Sequence, residues 1–289
     1  MPHPLIGMSL VIAIFGALLA TLRWYQRRRE PHPEIARKLM HLAMGLVTLG
    51  LPWMFAESWP VLTLAALIVA LLAALRVSHR LRQSLGRVLC GVERRSLGEI
   101  YFAAAAAILF ALAKDDAILF CVPMLILTLA DAAGALIGLR YGSRRYPTPD
   151  GEKSLEGSIA FFITAFLSAQ VPLLSLTNVG RVETLLIAAT LGLLLTIVEA
   201  MAWRGLDNLF IPLVGFVMLN SFLMMDAEAL AKHLAIALLL IIATAAMKLR
   251  RGAPRSDEFI RHTTNKFVTT WGEGHATNKF VTTWGEGGR

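Results

Sequence analysis

The chain has 289 residues, of which 56% are hydrophobic, and its mean hydropathy is +0.61. Soluble domains are about 45–50% apolar even when glycine is counted, so this composition excludes an ordinary soluble globular protein. The formal net charge of +8 would suggest nucleic acid in a soluble protein, but here the basic residues cluster between apolar blocks. Membrane topology and anionic lipid headgroups explain this charge better, and no nucleic-acid partner is expected.

The apolar residues form blocks of roughly 17–22 residues, the length that a helix needs to cross a bilayer core. Backbone groups inside a bilayer must be satisfied within their own segment, which favours helices, and the blocks lack the alternation of barrel strands. The sequence therefore predicts an all-α, polytopic integral membrane bundle of about nine transmembrane helices. The predicted helices are Leu5–Leu22, Leu39–Phe55, Val61–Val77, Leu97–Ala113, Ala117–Leu139, Leu155–Val171, Val182–Trp203, Leu209–Met225 and Ala227–Met247.

The distribution of basic residues predicts the orientation of these helices. If the N-terminus is outside, the inner segments are residues 23–38, 76–96, 140–154, 204–208 and everything after 247. Of the 28 Lys and Arg residues, only Lys114, Arg181 and Lys232 then fall on the outer side. The positive-inside rule therefore predicts a multi-pass protein with an N-out, C-in topology, whose polar motifs face the cytoplasm.

The end of the chain differs from the rest. Residues 256–289 form a polar tail in which the 11-residue run TNKFVTTWGEG at 264–274 returns letter for letter at 277–287. Two copies are too few for a solenoid, so an artificial addition or a recent duplication is indicated, and such a tail can remain disordered. We expect a transmembrane domain at residues 1–255 and a separate tail at 256–289. Cys90 and Cys121 have neither disulfide nor metal spacing and are expected to be free thiols.

The first polar cluster stands at the inner start of the second predicted helix. Arg37 and His41 are four residues apart and Lys38 and His41 are three apart, so the three side chains share one side of the helix. Taken alone, Arg37 and Lys38 are most often topology anchors. His41 enters the apolar block, which makes an anchoring role harder to accept for this residue.

Asp131 lies deep in the fifth predicted helix, where an ionisable residue is costly. Gly134, Gly138 and Gly142 follow it on the same helix face. Close helix packing of the small-x-x-x-small kind explains these glycines, and a groove where nucleotide phosphates and Mg²⁺ approach the backbone explains them equally well. The carboxylate at the head of the face favours the groove. The alternative for Asp131 is a buried, hydrogen-bonded or protonated carboxyl that aids packing.

The most informative stretch is Gly151-Glu152-Lys153-Ser154-Leu155-Glu156-Gly157-Ser158. Ser154 is a good N-cap, and Lys153 stands just before the helix N-terminus. Free amides and the positive end of the helix dipole form an anion site there, to which Lys153 adds a charge and which Gly157 leaves open to a phosphate. The stretch is not a Walker A loop, because Glu152 precedes Lys153. The alternative is an ordinary capped membrane helix with a snorkelling lysine.

The last cluster surrounds a very short inner turn. Glu199 lies near the inner end of the seventh predicted helix, and Arg204, Asp207 and Asn208 follow it. Asp207 and Asn208 are typical of a turn or an N-cap. They also suit Mg²⁺, which prefers a few carboxylates together with waters and phosphates. Glu199 is either a buried packing carboxyl or part of a functional cavity.

Together these clusters resemble the phytol kinase, dolichol kinase and polyprenol kinase family, whose relatives include CTP-dependent diacylglycerol kinases. The resemblance covers roughly residues 37–212 and is most specific in the Lys-Ser-x-Glu-Gly-Ser stretch, whereas Ala130-Asp131 stands where relatives often have Gly-Asp. Arg94, Arg95, Gly98 and Tyr101 also resemble an Arg-rich segment of the family. The matching motifs are Arg37-Lys38-x-x-His41, Asp131-x-x-Gly134-x-x-x-Gly138-x-x-x-Gly142, Lys153-Ser154-x-Glu156-Gly157-Ser158 and Glu199…Asp207-Asn208-x-x-x-Pro212.

The resemblance implies that residues 1–255 are a membrane-embedded kinase domain. The donor would be CTP or another NTP with Mg²⁺, and the acceptor an isoprenoid alcohol (phytol, dolichol or polyprenol) or diacylglycerol. The catalytic residues would be Asp131, Lys153, Glu199, Asp207 and His41, with Asp131, Glu199 and Asp207 as metal ligands. The nucleotide would contact Arg37, Lys38, Arg95, Gly134, Gly138, Gly142, Ser154, Glu156, Gly157, Ser158 and Asn208. We expect Asp131, Lys153, Glu156, Glu199 and Asp207 to converge on one cytoplasm-facing cavity.

Three other functions are compatible with parts of the pattern. Phosphatidate cytidylyltransferases look similar across the Asp…Lys-(Ser/Thr)-x-Glu-Gly region, but they typically carry a late Pro-Gly-His-Gly-Gly-x-x-Asp-Arg run that this sequence lacks. A transporter with intramembrane carboxylates should show an inverted repeat and charges on both sides of the membrane, and the sequence shows neither. A structural scaffold leaves the cluster at residues 153–158 unexplained. The kinase hypothesis is therefore preferred, with the cytidylyltransferase second.

Overall fold

A computed structural model describes residues 3–29, 32–77, 97–113, 116–149 and 151–250, and most of them are helical. In this part of the chain, ten helices are joined by turns and by one antiparallel hairpin. The elements are α1 Pro4–Arg29, α2 Pro33–Leu49, α3 Leu51–Met54, α4 Ser58–Val77, α5 Gly98–Ala113, α6 Ala117–Tyr141, β1 Arg145–Thr148, β2 Gly151–Ser154, α7 Leu155–Leu176, α8 Arg181–Met201, α9 Asp207–Phe222 and α10 Ala227–Arg250.

Four of the described helices, α1, α6, α7 and α8, are long and apolar enough to cross a membrane. Residues Ser58–Ala74 of α4, together with α5 and α9, are also apolar but shorter. The mostly helical protein predicted from the composition is therefore confirmed, and its apolar helices fit a membrane protein.

Helix α7 illustrates why these apolar helices suggest a membrane protein. Its inner face buries Phe161 and Ala165 completely. Its opposite face exposes Ile159, Ile163 and Leu167, which recur every four residues and are each about half accessible. A helix at a water-exposed surface would carry polar residues on that second face. An apolar outer face is stable when it contacts lipid.

Helix α6 is the centre of the bundle. It packs against α7 and α2 and also against α9. Phe120, Met124 and Leu127 are completely buried in the hydrophobic core, and so is Thr128, whose hydroxyl donates to the carbonyl oxygen of Met124. A helix that is apolar on all sides belongs inside a bundle, and this position surrounds the Asp131 carboxyl with protein.

Several predicted helix limits are wrong. The predicted helix Leu39–Phe55 starts earlier and is interrupted at Gly50, where α2 ends and the short α3 begins. Pro52 has no N–H to donate back into α2, which is consistent with the interruption. The helix predicted to end at Val171 continues past Pro172 to Leu176, and the helix predicted to end at Met225 stops at Phe222. Local signals fix the end of a helix less well than its existence.

The segment 140–154, predicted as a loop, contains the hairpin of β1 and β2. Tyr146 pairs with Lys153, and Thr148 pairs with Gly151. Gly151 has a φ of 120°, a conformation that favours glycine. Among the described residues, this two-stranded sheet is the part of the structure that differs from the predicted all-α fold.

The chain divides into two compact units, and the boundary between them lies within α10, after Ala237. The first unit contains the elements from α1 to the first half of α10. The described part of the second unit is the remainder of α10, up to Arg250. The predicted tail at 256–289 and the domain limit at 255 lie outside the described residues. Cys121 is a free thiol, as predicted, and Cys90 also lies outside them.

Candidate functional site

A buried ion pair joins α2 to α6. Lys38 Nζ lies 2.6 Å from Asp131 Oδ1 and 2.7 Å from Oδ2, so it donates to both carboxylate oxygens. Lys38 is 3% exposed and Asp131 is 6% exposed. His41 Nε2 lies 3.4 Å from Asp131 Oδ2, and its ring packs edge-on against Phe102. Each charge compensates the desolvation of the other, which explains how both are kept inside an apolar bundle.

A second ion pair joins β2 to the end of α8. Lys153 Nζ lies 2.5 Å from Glu199 Oε1 and 2.5 Å from the carbonyl oxygen of Glu199. The last carbonyl groups of a helix have no partner within the helix, so a lysine is favourable there. Glu199 Oε2 is buried without a hydrogen-bond partner in the described structure, and so is Asn208 Oδ1 in the first turn of α9.

Long-range electrostatic interactions connect the two pairs into one cluster. Asp207, the first residue of α9, is repelled by Asp131 and attracted by Lys38 and Lys153. Glu199 is repelled by both Asp131 and Asp207. Charges that act on one another in this way lie close in space. The cluster is therefore built from the first parts of α2 and α9, the second half of α6, the end of α8 and β2.

Arg37 stands at the edge of this cluster. Its guanidinium group forms a two-point contact with Glu34, with distances of 3.1 Å from Nε to Oε2 and 2.5 Å from Nη2 to Oε1. Arg37 is also attracted by Asp131 and Asp207. A guanidinium group offers five N–H donors, so the contact with Glu34 leaves donors for a further anion.

The turn between α8 and α9 also contributes to the cluster. Arg204 has a φ of 54° and Gly205 a φ of 85°, both in the left-handed region. A non-glycine residue is strained there, and such strain is found at functional sites. The carbonyl oxygen of Arg204 accepts a hydrogen bond from the amide of Leu97, just before α5. This contact ties the turn that carries Asp207 and Asn208 to the bundle.

The hairpin is attached to the first turn of α7. Glu156 Oε1 accepts hydrogen bonds from the Ser143 hydroxyl at 2.5 Å and the Arg144 amide at 3.2 Å. The Tyr146 and Ser158 hydroxyl oxygens lie 2.6 Å apart. Glu156 and Ser158 therefore hold the segment that carries Lys153, and their predicted contact with nucleotide remains a prediction.

Ser154 is the N-cap of α7, as predicted, and its hydroxyl oxygen accepts from the Gly157 amide at 3.1 Å. The Leu155 amide donates to the Arg144 carbonyl oxygen at 2.8 Å. These two amides of the predicted anion site already have partners within the chain. Of the groups in the predicted anion site, Lys153 therefore remains the candidate for binding an anion.

The glycine face of α6 packs against α7. A Cβ on Gly134 would lie 3.2 Å from the Gly157 carbonyl oxygen, and one on Gly138 would lie 3.0 Å from Ser154 Oγ. A Cβ on Gly142 would lie 2.7 Å from the same hydroxyl oxygen. This close approach is the small-residue packing that the sequence left open beside a phosphate groove. Packing accounts for Gly134 and Gly138. Gly142 is the C-cap that follows α6 and so lies outside the predicted helix face, and a Cβ there would also collide with the carbonyl oxygen of Gly138.

The family profile described as "Cytidylyltransferase family" matches residues 3–201, well over half of the chain. The chain belongs to the cytidylyltransferase family. It is also 29% identical over 212 residues to a protein described as phytol kinase from Synechocystis sp., a match that covers 72% of this chain and 88% of that relative. The resemblance to the phytol kinase and dolichol kinase family is thereby confirmed. No solved structure matches the chain significantly.

The oxygen atoms at the α8–α9 turn of this cytidylyltransferase family member fit a hard cation. The described residues contain no cluster of three or more His, Cys, Asp or Glu residues arranged to hold a metal. Magnesium, however, is commonly bound by one or two carboxylates together with substrate phosphates and waters. Glu199 Oε2 and Asn208 Oδ1 are buried oxygens without a partner in the described structure, and Asp207, next to Asn208 in the chain, interacts electrostatically with Glu199. Both oxygens of Asp131, in contrast, are engaged by Lys38.

Mutual electrostatic interactions link Asp131, Lys153, Glu199 and Asp207, whereas the contacts described for Glu156 hold the hairpin. The shared cytoplasm-facing cavity remains a prediction. Arg95 lies outside the described residues. Sequence reasoning missed Glu34, although its spacing of three residues from Arg37 is typical of a helical ion pair. It also missed the hairpin, although Pro149-Asp150-Gly151 is a strong turn signal.

Proposed function

We propose that this chain is a membrane-embedded kinase that transfers the γ-phosphoryl group of CTP, or of another NTP, to the hydroxyl group of an isoprenoid alcohol. The observation that carries the proposal is the similarity to a phytol kinase over 72% of this chain and 88% of that relative. The mixed cluster of three carboxylates and two lysines adds support. Phosphoryl transfer requires positioning and charge neutralisation more than covalent participation of the protein.

In this proposal Lys153 binds the phosphates of the donor. Its ammonium group currently contacts one oxygen and the carbonyl of Glu199, and it is the more exposed of the two lysines in the cluster. An anion of higher charge than Glu199 would attract it strongly. Arg37 lies at the edge of the same cluster and would hold a second phosphate.

Glu199, Asp207 and Asn208 would hold Mg²⁺. The buried oxygens without partners on Glu199 and Asn208 support this assignment. When bound, the metal would neutralise charge on the transferring phosphoryl group. We assign Asp131 to orienting the acceptor hydroxyl and not to binding the metal. Both of its oxygens contact Lys38, and His41 lies beside it. His41 or Asp131 would accept the proton of that hydroxyl.

We further propose that residues 1–255 are the catalytic domain, with nine transmembrane helices, the N-terminus outside and the cluster facing the cytoplasm. The support is that nearly all Lys and Arg residues lie in segments on the predicted inner side of the membrane. A reporter fused after Lys114 and another after Arg145 should report opposite sides of the membrane. Reports from the same side would refute this helix count.

The fate of labelled CTP tests the proposal directly. Purified full-length protein should transfer label from γ-labelled CTP to phytol or a polyprenol and release CDP. Omission of Mg²⁺ should abolish the transfer. A panel with ATP, GTP and diacylglycerol would define the donor and the acceptor.

A second candidate function is CDP-lipid synthesis, which the description of the matching family favours. A cytidylyltransferase would join CMP to phosphatidate and release pyrophosphate. The chain lacks the Pro-Gly-His-Gly-Gly-type run expected for that activity. Transfer of label from α-labelled CTP to phosphatidate, without γ-label in any alcohol, would establish the second candidate and refute the kinase.

A further inference from the structure

The two oxygens of the Glu199 carboxylate have different surroundings. Oε1 lies 2.5 Å from Lys153 Nζ, whereas Oε2 is buried without a hydrogen-bond partner in the described structure. In the proposed kinase Glu199 binds Mg²⁺ and Lys153 binds the donor phosphates. A divalent cation at Oε2 is repelled by the ammonium group at Oε1, because like charges at such a separation disfavour each other. The contact between these two side chains therefore opposes the task of each.

The charges around Glu199 favour a cation beside it. Asp131 and Asp207 both repel Glu199. Lys38 donates to both oxygens of Asp131, whereas Lys153 contacts Glu199 and also attracts Asp207. One ammonium group beside two carboxylates leaves an excess of negative charge, which attracts a divalent cation more strongly than a monovalent one. Lys153 thus provides the charge compensation that a metal ion would otherwise supply.

Lys153 can leave Glu199 without a change in the fold. Its backbone is paired with Tyr146 in the hairpin. Its side chain is 25% exposed and consists of a flexible stem that carries a compact charge. The two contacts described for the ammonium group are both with Glu199, one with the carboxylate and one with the carbonyl oxygen. Rotation of a single side chain therefore breaks both contacts.

We propose that Lys153 and the divalent cation compete for Glu199, and that the donor phosphates relieve this competition by binding Lys153. This inference rests on the proposed kinase function, which it deepens by stating how the two ligands of the site regulate each other. Without nucleotide, the ammonium group neutralises Glu199 and keeps the affinity for metal low. With nucleotide, the ammonium group moves to phosphate oxygens, and both oxygens of Glu199 become available. Such coupling is reciprocal, so each ligand raises the affinity for the other by the same factor.

Removal of Lys153 provides the first test, because a gain of metal affinity is expected. Purified full-length protein without nucleotide would be titrated with Mn²⁺, a hard cation like Mg²⁺ that electron paramagnetic resonance detects. Lys153→Met should bind Mn²⁺ about tenfold more tightly than the parent protein, an effect of the size usual for coupled ligands. Lys232→Met is the matched control, since it removes the lysine of an exposed pair with Glu228, and it should leave the affinity unchanged. In a Glu199→Gln background, Lys153→Met should have little further effect.

Removal of the charge on Glu199 provides the reciprocal test. Glu199→Gln releases Lys153 and should raise the affinity for labelled CTP in EDTA about tenfold, or that for ATP if ATP is the donor. Asp207→Asn is the matched comparison. It removes a charge that attracts Lys153, but the contacts described for the ammonium group are with Glu199. Asp207→Asn should therefore raise the nucleotide affinity less than Glu199→Gln does.

Unchanged Mn²⁺ affinity in Lys153→Met, or equal gains of nucleotide affinity in Glu199→Gln and Asp207→Asn, would overturn the proposal. Thermal unfolding identifies a misfolded variant, and Lys153→Gln provides the same test if Lys153→Met does not fold. Neither titration depends on phosphoryl transfer. The expected affinities without transfer of the γ-phosphoryl group to any alcohol would refute the kinase function alone. Transfer together with unchanged affinities would refute the competition alone.

Discussion

The two lysine–carboxylate pairs of the cluster have the same chemistry but different surroundings. Lys38 and Asp131 are both buried, and the lysine donates to both carboxylate oxygens. Lys153 and Glu199 are partly exposed, and the lysine reaches one carboxylate oxygen and a backbone carbonyl. The second oxygen of Glu199 has no partner in the described structure. We call the first pair closed, because Lys38 engages both oxygens of Asp131. We call the second pair open, because one oxygen of Glu199 remains available to a ligand.

The difference follows from where the partners stand. Lys38 and Asp131 lie within packed helices, so their side chains are held by the bundle on all sides. Lys153 stands on a hairpin that is attached to α7 through Glu156 and Ser158, and Glu199 stands at a helix end. Residues that bind ligands are commonly placed on loops and helix ends positioned by a rigid scaffold. We therefore expect loss of the first pair to lower stability as well as activity, and loss of the second to lower phosphoryl transfer with little effect on stability.

Breaking the closed pair should have the largest effect. Lys38→Met leaves Asp131 buried with only His41 beside it, and loss of the lysine should lower the free energy of unfolding by about 3–5 kcal/mol. Thermal or denaturant unfolding of the purified variant measures this change. The double variant Lys38→Met with Asp131→Leu removes both charges and should recover most of the stability while remaining inactive. An unchanged unfolding midpoint in Lys38→Met would contradict a closed pair.

Breaking the open pair should affect turnover more than stability. Lys153→Ala removes a charge aimed at the transferring group and should lower kcat/KM by about 10²–10³-fold, as loss of one preorganised donor does elsewhere. Its unfolding midpoint should stay close to that of the parent protein. Lys232→Ala is the matched control, because Lys232 forms an exposed pair with Glu228. Full activity of Lys153→Ala would exclude the phosphate-binding role.

Glu199→Gln tests whether the unpartnered oxygen serves a cation. The substitution keeps the shape of the side chain but removes its charge, so the Mg²⁺ concentration needed for half-maximal activity should rise about 10–100-fold. A Mg²⁺ titration of the transfer rate measures this shift, and excess Mg²⁺ should restore part of the activity. Glu228→Gln, at an exposed position, should leave the titration unchanged. A lower rate at every Mg²⁺ concentration, without a shift of the midpoint, would argue against metal binding.

The smallest change in stability and activity is expected from a substitution at Ser154, the N-cap of α7, which follows Lys153 of the open pair. Ser154→Ala removes the hydroxyl that caps the helix and should lower the free energy of unfolding by about 1 kcal/mol. The apparent KM for the nucleotide should rise modestly, because Lys153 is the preceding residue. Ser9→Ala, which removes an exposed hydroxyl in the second turn of α1, is the control for stability. Equal stability of the two variants would show that the cap does not contribute.

Much of the site was visible in the sequence because its signals are local. The cap formed by Ser154 depends on residues 154–157, and the common side of Arg37, Lys38 and His41 depends on helical spacing. The hairpin was not predicted from the sequence, because each of its strands has only four residues and the turn signal at residues 149–151 does not by itself specify strand pairing. The role of Glu156 could not be predicted, since its partners Ser143 and Arg144 become neighbours only when the hairpin folds back.

The sequence by itself determined the helical class, most of the helical segments, the family and the residue types of the site. These properties depend on apolar length, helical spacing and short motifs, all of which act over a few residues. Only the tertiary structure decided which lysine meets which carboxylate. Lys38 and Asp131 are 93 residues apart in the chain, and Lys153 and Glu199 are 46 apart. Such pairs are set by the packing of α2 on α6 and by the fold of the hairpin over the end of α8, which no local pattern specifies.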